Sequence, residues 1–141
     1  MNLYAESSAV LAWLLEEGAA DQVRRALASA ERLIASDLTL IECDRVLIRG
    51  VSLGRLSEAD AAECRAQLRA AAADWQILRI SPEIVERARQ PFPAEPLRAL
   101  DAIHLASALA ARSAIPGLQL LSLDDRIRGA ARRLGFQLQP A

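Results

Sequence analysis

Between Leu97 and Arg112 the chain reads LRALDAIHLASALAAR. At 3.6 residues per turn this stretch is apolar almost all the way round, which marks a helix packed inside a protein. Two ionisable residues, Asp101 and His104, nevertheless sit in its middle. Asp101 shares a stripe with Leu97, Leu105 and Ala108, so its carboxylate is directed towards the core. A charge there is costly unless a partner or a metal compensates it. A plainer alternative starts the helix nearer Leu100 and makes Asp101 a first-turn acid favoured by the helix dipole.

A chain of 141 residues is read as a single domain spanning 1–141, long enough to bury roughly two-thirds of its unfolded surface. With 52% hydrophobic and 25% charged residues, its composition is that of a globular protein. No apolar run approaches the roughly eighteen residues that would span a bilayer, and no basic segment with an apolar core opens the chain. The expectation is a soluble, cytoplasmic protein with no membrane partner. Cys43 and Cys64 make neither a metal pair nor a disulfide framework and read as buried small residues. The formal net charge of −1 does not mark a nucleic-acid binder. All 17 basic residues are arginine, and guanidinium grips phosphate bidentately, although coding bias accounts for an Arg-only, Ala-rich composition equally well. The absence of lysine excludes any mechanism that needs a catalytic or phosphate-loop lysine.

Short apolar runs alternate with helical patterns along the whole chain. Leu3–Ala5 reads as a strand, followed by a helix from about Ala9 to Leu15 with Ser7 or Ser8 as its cap. A second helix covers about 20–30, and Arg32–Ala35 is a second strand. Ser36 or Asp37 caps a helix that runs to Gly50. Ser57 with Asp60 resembles a capping box opening an Ala-rich helix to about Ala73. Trp75–Ile80 alternates like a strand, and Ser81-Pro82-Glu83 starts another helix. Pro91, Pro93 and Pro96 form a tight loop before the central helix. Leu118–Leu123 is a strand, Asp124 begins a helix closing at Gly135, and Phe136–Leu138 is an edge strand. Strands and helices in this alternation predict an α/β sandwich, a parallel sheet with helices on both faces.

Sheets of this kind place their sites outside the carboxyl ends of the strands. Glu6 follows the first strand and Asp124 the last long one, although each also reads as an acid at a helix start. Glu42 lies on a stripe with Leu38, Ile41 and Val46, with Arg45 one turn on, so a buried Glu42–Arg45 pair is one reading and a site carboxylate the other. Four acids (Glu6, Glu42, Asp101 and Asp124) thus stand where the fold could gather them. Like charges that close repel unless cations lie between them. Oxygen ligands without a Cys or His cluster suit Mg2+ or Mn2+ over zinc. Such an ion can turn water into a nucleophile and neutralise charge building on a phosphodiester. Setting aside the four site carboxylates leaves a positively charged remainder. His104 reads as a hydrogen-bonded structural histidine, and Trp13 and Trp75 as core or interface residues.

The motifs LYAESSAVLAWLL, SDLTLIECDRVL, LRALDAIHLASAL and LLSLDDRIRGAARRLGF cover nearly the whole chain, and in order and context they resemble PIN-domain proteins, specifically the VapC ribonuclease toxins of VapBC toxin–antitoxin pairs. The resemblance implies a PIN-like three-layer α/β/α sandwich with a mainly parallel sheet of about four or five short strands. It also implies a Mg2+- or Mn2+-dependent endoribonuclease leaving 5′-phosphate and 3′-hydroxyl ends. By resemblance the catalytic and metal-binding residues are Glu6, Glu42, Asp101 and Asp124, with Glu6 and Asp101 the principal ligands. Ser7 and Ser122 match the hydroxyl positions beside the first and last acids, and Asp125 is a spare carboxylate. Arg45, Arg126 and Arg128 are candidates for holding RNA phosphates. The implied partners are an RNA substrate (tRNA, rRNA or mRNA), an antitoxin seated on the apolar helices between Ala9 and Val51, and a second copy in a homodimer.

The sequence departs from the family where it has Glu6 in place of aspartate. One extra methylene moves the carboxylate by roughly 1.5 Å, a shift to which metal sites are sensitive. Metal is still expected to bind, more weakly or with a preference for manganese, and Glu6→Asp is expected to hold or raise activity. The alternative is a catalytically weakened PIN scaffold that binds RNA or a protein partner. A phosphoacceptor signalling domain would need a lysine beside the phosphate and is excluded.

Overall fold

The computed structural model describes all residues, 1–141. Five strands and seven helices alternate along it. They are β1 (Asn2–Ala5), α1 (Ser7–Leu15), α2 (Ala20–Ser29), β2 (Arg32–Ser36), α3 (Asp37–Ser52) and α4 (Glu58–Ala72), then β3 (Gln76–Leu78), α5 (Pro82–Ala88), α6 (Ala99–Ala114), β4 (Gln119–Leu121), α7 (Asp125–Arg133) and β5 (Leu138–Gln139). The strands form one sheet in the order β3-β2-β1-β4-β5, and every pairing is parallel. This is the expected α/β/α sandwich, with the sheet wholly parallel.

Strand side chains alternate between two cores, as the two-residue period requires. Tyr4, Ile34 and Leu120 enter a core with Leu105, Ile127 and Phe136, on the α5–α7 face. Leu3, Ala5 and Leu121 enter the other with Val10, Leu14, Val23, Cys43, Leu47 and Leu68, on the α1–α4 face. The two faces follow from the connections. From β1 the chain steps outward through β2 to β3, then returns past β1 to β4, and parallel crossovers keep one hand. Reversing direction therefore transfers the helices to the opposite face. The reversal point lies between β1 and β4, and their carboxyl ends open a crevice there.

Element ends follow local chemistry. Ser36, Ser57 and Ser81 cap α3, α4 and α5 through their hydroxyls. The strand expected over Trp75–Ile80 is shorter because its one neighbour, β2, gives way to α3 after Ser36, the residue opposite Leu78. The strand expected over Leu118–Leu123 ends at Leu121, opposite the last residue of β1. The last strand is Leu138–Gln139, one residue beyond the expected end. The central helix starts two residues later than Leu97 because Glu95 accepts the N–H groups of Phe92 and Leu97, both at 2.8 Å, and holds the chain in a loop. Cys43 and Cys64 are buried and free. No helix is long and apolar enough to cross a membrane.

Candidate metal-binding active site

Glu6 directly follows β1 and occupies the N-cap position of α1, with its main chain held by a 2.9 Å bond from its N–H to the Leu121 carbonyl. It is 4% exposed. Its Oε2 accepts hydrogen bonds from the hydroxyls of Ser8 and, at 2.7 Å, Ser122. The serines expected to cap α1 do not do so. They lie in its first turn, and their side chains turn to carboxylates, because the N-cap position belongs to Glu6.

Glu42 reaches the same crevice from α3. The stripe proposed for it with Ile41 and Val46 is not the buried one, since these are 53% and 41% exposed; Leu38, Thr39, Cys43 and Leu47 face inwards. Glu42 stands at the margin of that buried face, half-buried, and no Arg45 pair forms. Its Oε1 accepts from Ser7 Oγ at 2.6 Å and lies 2.5 Å from His104 Nε2. Burial pushes the Glu42 carboxyl up, but the hydrogen bonds from His104 and Ser7 and the electrostatic influence of His104 outweigh it, and the carboxyl is held below its ordinary value.

His104 is fully enclosed on α6. Its Nδ1 lies 3.0 Å from Tyr4 Oη, whose hydroxyl donates onward to Ser36 Oγ at 3.2 Å. Nε2 lies 3.0 Å from Ser7 Oγ and 4.0 Å from Glu6 Oε1. The reading of His104 as a hydrogen-bonded structural histidine holds, but its partners are the site itself. Its spacing three residues after Asp101 was the available signal, since both then share one helix face. Ser8 and Tyr4 carried no such signal.

Asp101 lies in the first turn of α6 and accepts the Arg98 N–H at 3.2 Å, the plainer of its two readings. Asp124 caps α7 by accepting the Ile127 N–H at 3.0 Å. Its own N–H donates to Ser122 Oγ at 3.1 Å, tying it to the hydroxyl that bonds Glu6. Asp125 and Arg126 are exposed. The guanidinium of Arg128 reaches three main-chain carbonyls, those of Ser122, Gln139 and Pro140. Arg45 is exposed and makes no ion pair with Glu42.

The donor set tests whether a cation fits. One oxygen each from Glu6 and Glu42 and one nitrogen of His104 lie within 4.8 Å of one another. His104 is the only salt-bridge partner of either carboxylate, and no guanidinium neutralises them. The hydroxyls take up Glu6 Oε2 and Glu42 Oε1, so each carboxylate keeps its second oxygen for a ligand. Two such acids, each with a free oxygen, fit a hard divalent cation, while both nitrogens of His104 are engaged by Glu42, Ser7 and Tyr4. Asp101 and Asp124 lie outside this close cluster, their carboxylates turned to helix-start N–H groups.

A parallel five-stranded sheet with acids gathered at its reversal point defines a doubly wound α/β domain with a candidate metal site, and the chain belongs to the PIN domain family, which it matches over residues 3–133. It is similar to Ribonuclease VapC46 of Mycobacterium tuberculosis, with 34% identity over 135 residues, 95% of this chain and 93% of that protein. Among solved structures, FitAcB from Neisseria gonorrhoeae superposes with a TM-score of 0.71 at 15% identity, covering 96% of this chain and 95% of that one. The M. tuberculosis toxin VapC20, which cleaves the sarcin–ricin loop, superposes with a TM-score of 0.67 at 15% identity, over 92% and 95% of the two chains.

Proposed function

We propose that this chain is a divalent-metal-dependent endoribonuclease acting as the toxin of a type II toxin–antitoxin pair in the cytoplasm. The observation that carries the reading is the meeting of Glu6 and Glu42 across the sheet's reversal point with no guanidinium to neutralise them. The 34% identity to a ribonuclease over nearly the whole chain supports it. Mg2+ or Mn2+ bound there would supply an activated water and offset charge building on the scissile phosphate.

The chain's own residues prepare that site. Glu6 and Glu42 would hold the ion with their free oxygens, and His104, with Nε2 on Glu42, would keep that carboxylate in place. Ser8 and Ser122 fix Glu6; Ser7 and His104 fix Glu42. Asp101 and Asp124 complete the pocket, directly or through water, and Ser7, Ser122 and Asp125 support it. A water oxygen would join phosphorus as the bond to the 3′ oxygen breaks, the water giving up a proton and the leaving 3′ oxygen taking one up, so that 5′-phosphate and 3′-hydroxyl ends result. Arg45, three residues after Glu42, and Arg126, two after Asp124, are exposed, and in this reading they would hold flanking phosphates of a tRNA, rRNA or mRNA.

An antitoxin and a second copy of the chain are the proposed protein partners. Ile41, Val46 and Ile48 on α3 and Leu53, the residue after it, are each at least 41% exposed, apolar surface of the kind that partners cover. Purified protein should cleave structured RNA with Mn2+ or Mg2+, and Asp101→Asn should abolish cleavage while leaving the circular dichroism spectrum unchanged. Cleavage that persists after chelation of divalent ions overturns the mechanism. Glu6→Asp should retain cleavage, since a shorter carboxylate still offers an oxygen to the ion.

A further inference from the structure

We propose that Arg128 is a positioning residue, one that fastens the C-terminal segment to the Ser122 turn and thereby holds the Ser122 hydroxyl on Glu6. The consequence for catalysis rests on the ribonuclease reading above. Nη1 of Arg128 lies 2.8 Å from the Ser122 carbonyl and 3.3 Å from that of Gln139, and Nη2 lies 2.8 Å from that of Pro140. Three donors of one planar fork thus point at main chain, an arrangement the rigid guanidinium geometry suits.

The sheet needs this help at its edge. β5 has two residues, Leu138 and Gln139, and short ladders are weak. The ladder runs from Leu120 N–H to the Gln137 carbonyl at 2.9 Å and from Ser122 N–H to the Gln139 carbonyl at 3.1 Å. Pro140 follows, and proline has no N–H with which to continue. Arg128 supplies donors where the strand has none.

Ser122 is therefore held at both main-chain groups, its N–H by Gln139 and its carbonyl by Arg128. From that anchored main chain its side chain donates to Glu6 Oε2 at 2.7 Å and accepts from Asp124 N–H at 3.1 Å. With Oε2 engaged, Glu6 turns Oε1 into the crevice, 4.0 Å from His104 Nε2. The order of the C-terminal segment is passed through one guanidinium and one hydroxyl to a carboxylate of the site.

The test uses the whole 141-residue chain as Arg128→Ala and Arg128→Lys, with Arg112→Ala as the comparison. Arg112 makes a parallel clamp, with Nη1 2.8 Å from the Leu134 carbonyl and its guanidinium over the Phe136 ring, but it does not touch Ser122. Amide exchange without metal or RNA should be about tenfold faster at Ser122 and Asp124 in Arg128→Ala, partly restored in Arg128→Lys, and unchanged there in Arg112→Ala. Mn2+ affinity should fall several-fold and kcat should drop at constant KM in Arg128→Ala alone. Equal behaviour of the two alanine variants would reduce Arg128 to general stabilisation. A raised KM with kcat, Mn2+ affinity and exchange unchanged would make it a phosphate contact instead. Either result overturns the proposal. If Arg128→Ala does not fold, exchange in Arg128→Lys, intermediate at the same two amides or unchanged, decides it in the same sense. Were the ribonuclease reading itself to fail, no variant would cleave RNA, and the exchange pattern would still discriminate.

Discussion

Tyr4 is completely buried, and its hydroxyl is the anchor behind the site, meeting His104 Nδ1 and Ser36 Oγ. Burial pushes its pKa up to about 12 from 10.0, with the Ser36, Ser107 and Thr39 hydroxyls acting in the opposite sense. The native state therefore keeps this proton after the unfolded chain has lost it. The stabilisation that attaches to the neutral phenol is full below pH 10 and falls as pH rises from 10 towards 12. Integrated over that window the loss is of order 3 kcal/mol. Tyr4→Phe should be less stable than the native chain at pH 7 by about 1–2 kcal/mol through lost hydrogen bonds. Its stability should then decline less steeply above pH 10, as measured by urea unfolding at a series of pH values. Parallel decline of the two proteins would contradict the assignment.

Helix starts place two of the site's supports, and their caps differ in consequence. Ser57 Oγ accepts the Asp60 N–H at 3.0 Å at an exposed helix start far from the crevice. Ser36 Oγ accepts the Thr39 N–H at 3.4 Å and also the Tyr4 hydroxyl, while Thr39 Oγ1 donates to the Ala5 carbonyl at 3.1 Å beside Glu6. Ser57→Ala should cost about 1 kcal/mol, the ordinary value of a lost cap, with Mn2+ affinity unchanged. Ser36→Ala should cost about 2 kcal/mol, because a buried phenol also loses its acceptor. Its effect should not add to that of Tyr4→Phe, since both remove one shared bond. Additive losses in the double variant would show that the Tyr4–Ser36 bond contributes nothing.

At the scale of the whole molecule, four separate segments are drawn to one crevice by the sheet's reversal, and a cation that binds only the folded state must stabilise it. A divalent ion at 100 times its Kd adds about 2.7 kcal/mol. A chain of this size gains roughly 3 °C per kcal/mol, so Tm should rise by about 8 °C. Glu6→Gln and Glu42→Gln should each remove most of that rise in a thermal melt, and chelation should reverse it in the native chain. A rise that survives both substitutions would place the ion elsewhere.

The alternation of short apolar runs with helical patterns, and the serines before three helices, was enough to read the parallel sandwich and most element starts, because strand period and capping are local properties of the chain. The candidate acids were legible as residues at strand ends or on helices with no obvious solvent face. Tertiary structure decided which acids meet. A helical stripe says which side chains share a face, not what lies opposite. Glu42 therefore pairs with His104 and Ser7 across the crevice instead of with Arg45 one turn on, and Arg128 faces main-chain carbonyls at a sheet edge no periodicity locates. The same holds for His104, whose three partners come from β1, α1 and α3, segments separated in the chain by 62 to 100 residues from it. Hydrogen bonds at that separation depend on how layers stack, and only the folded chain fixes the stacking.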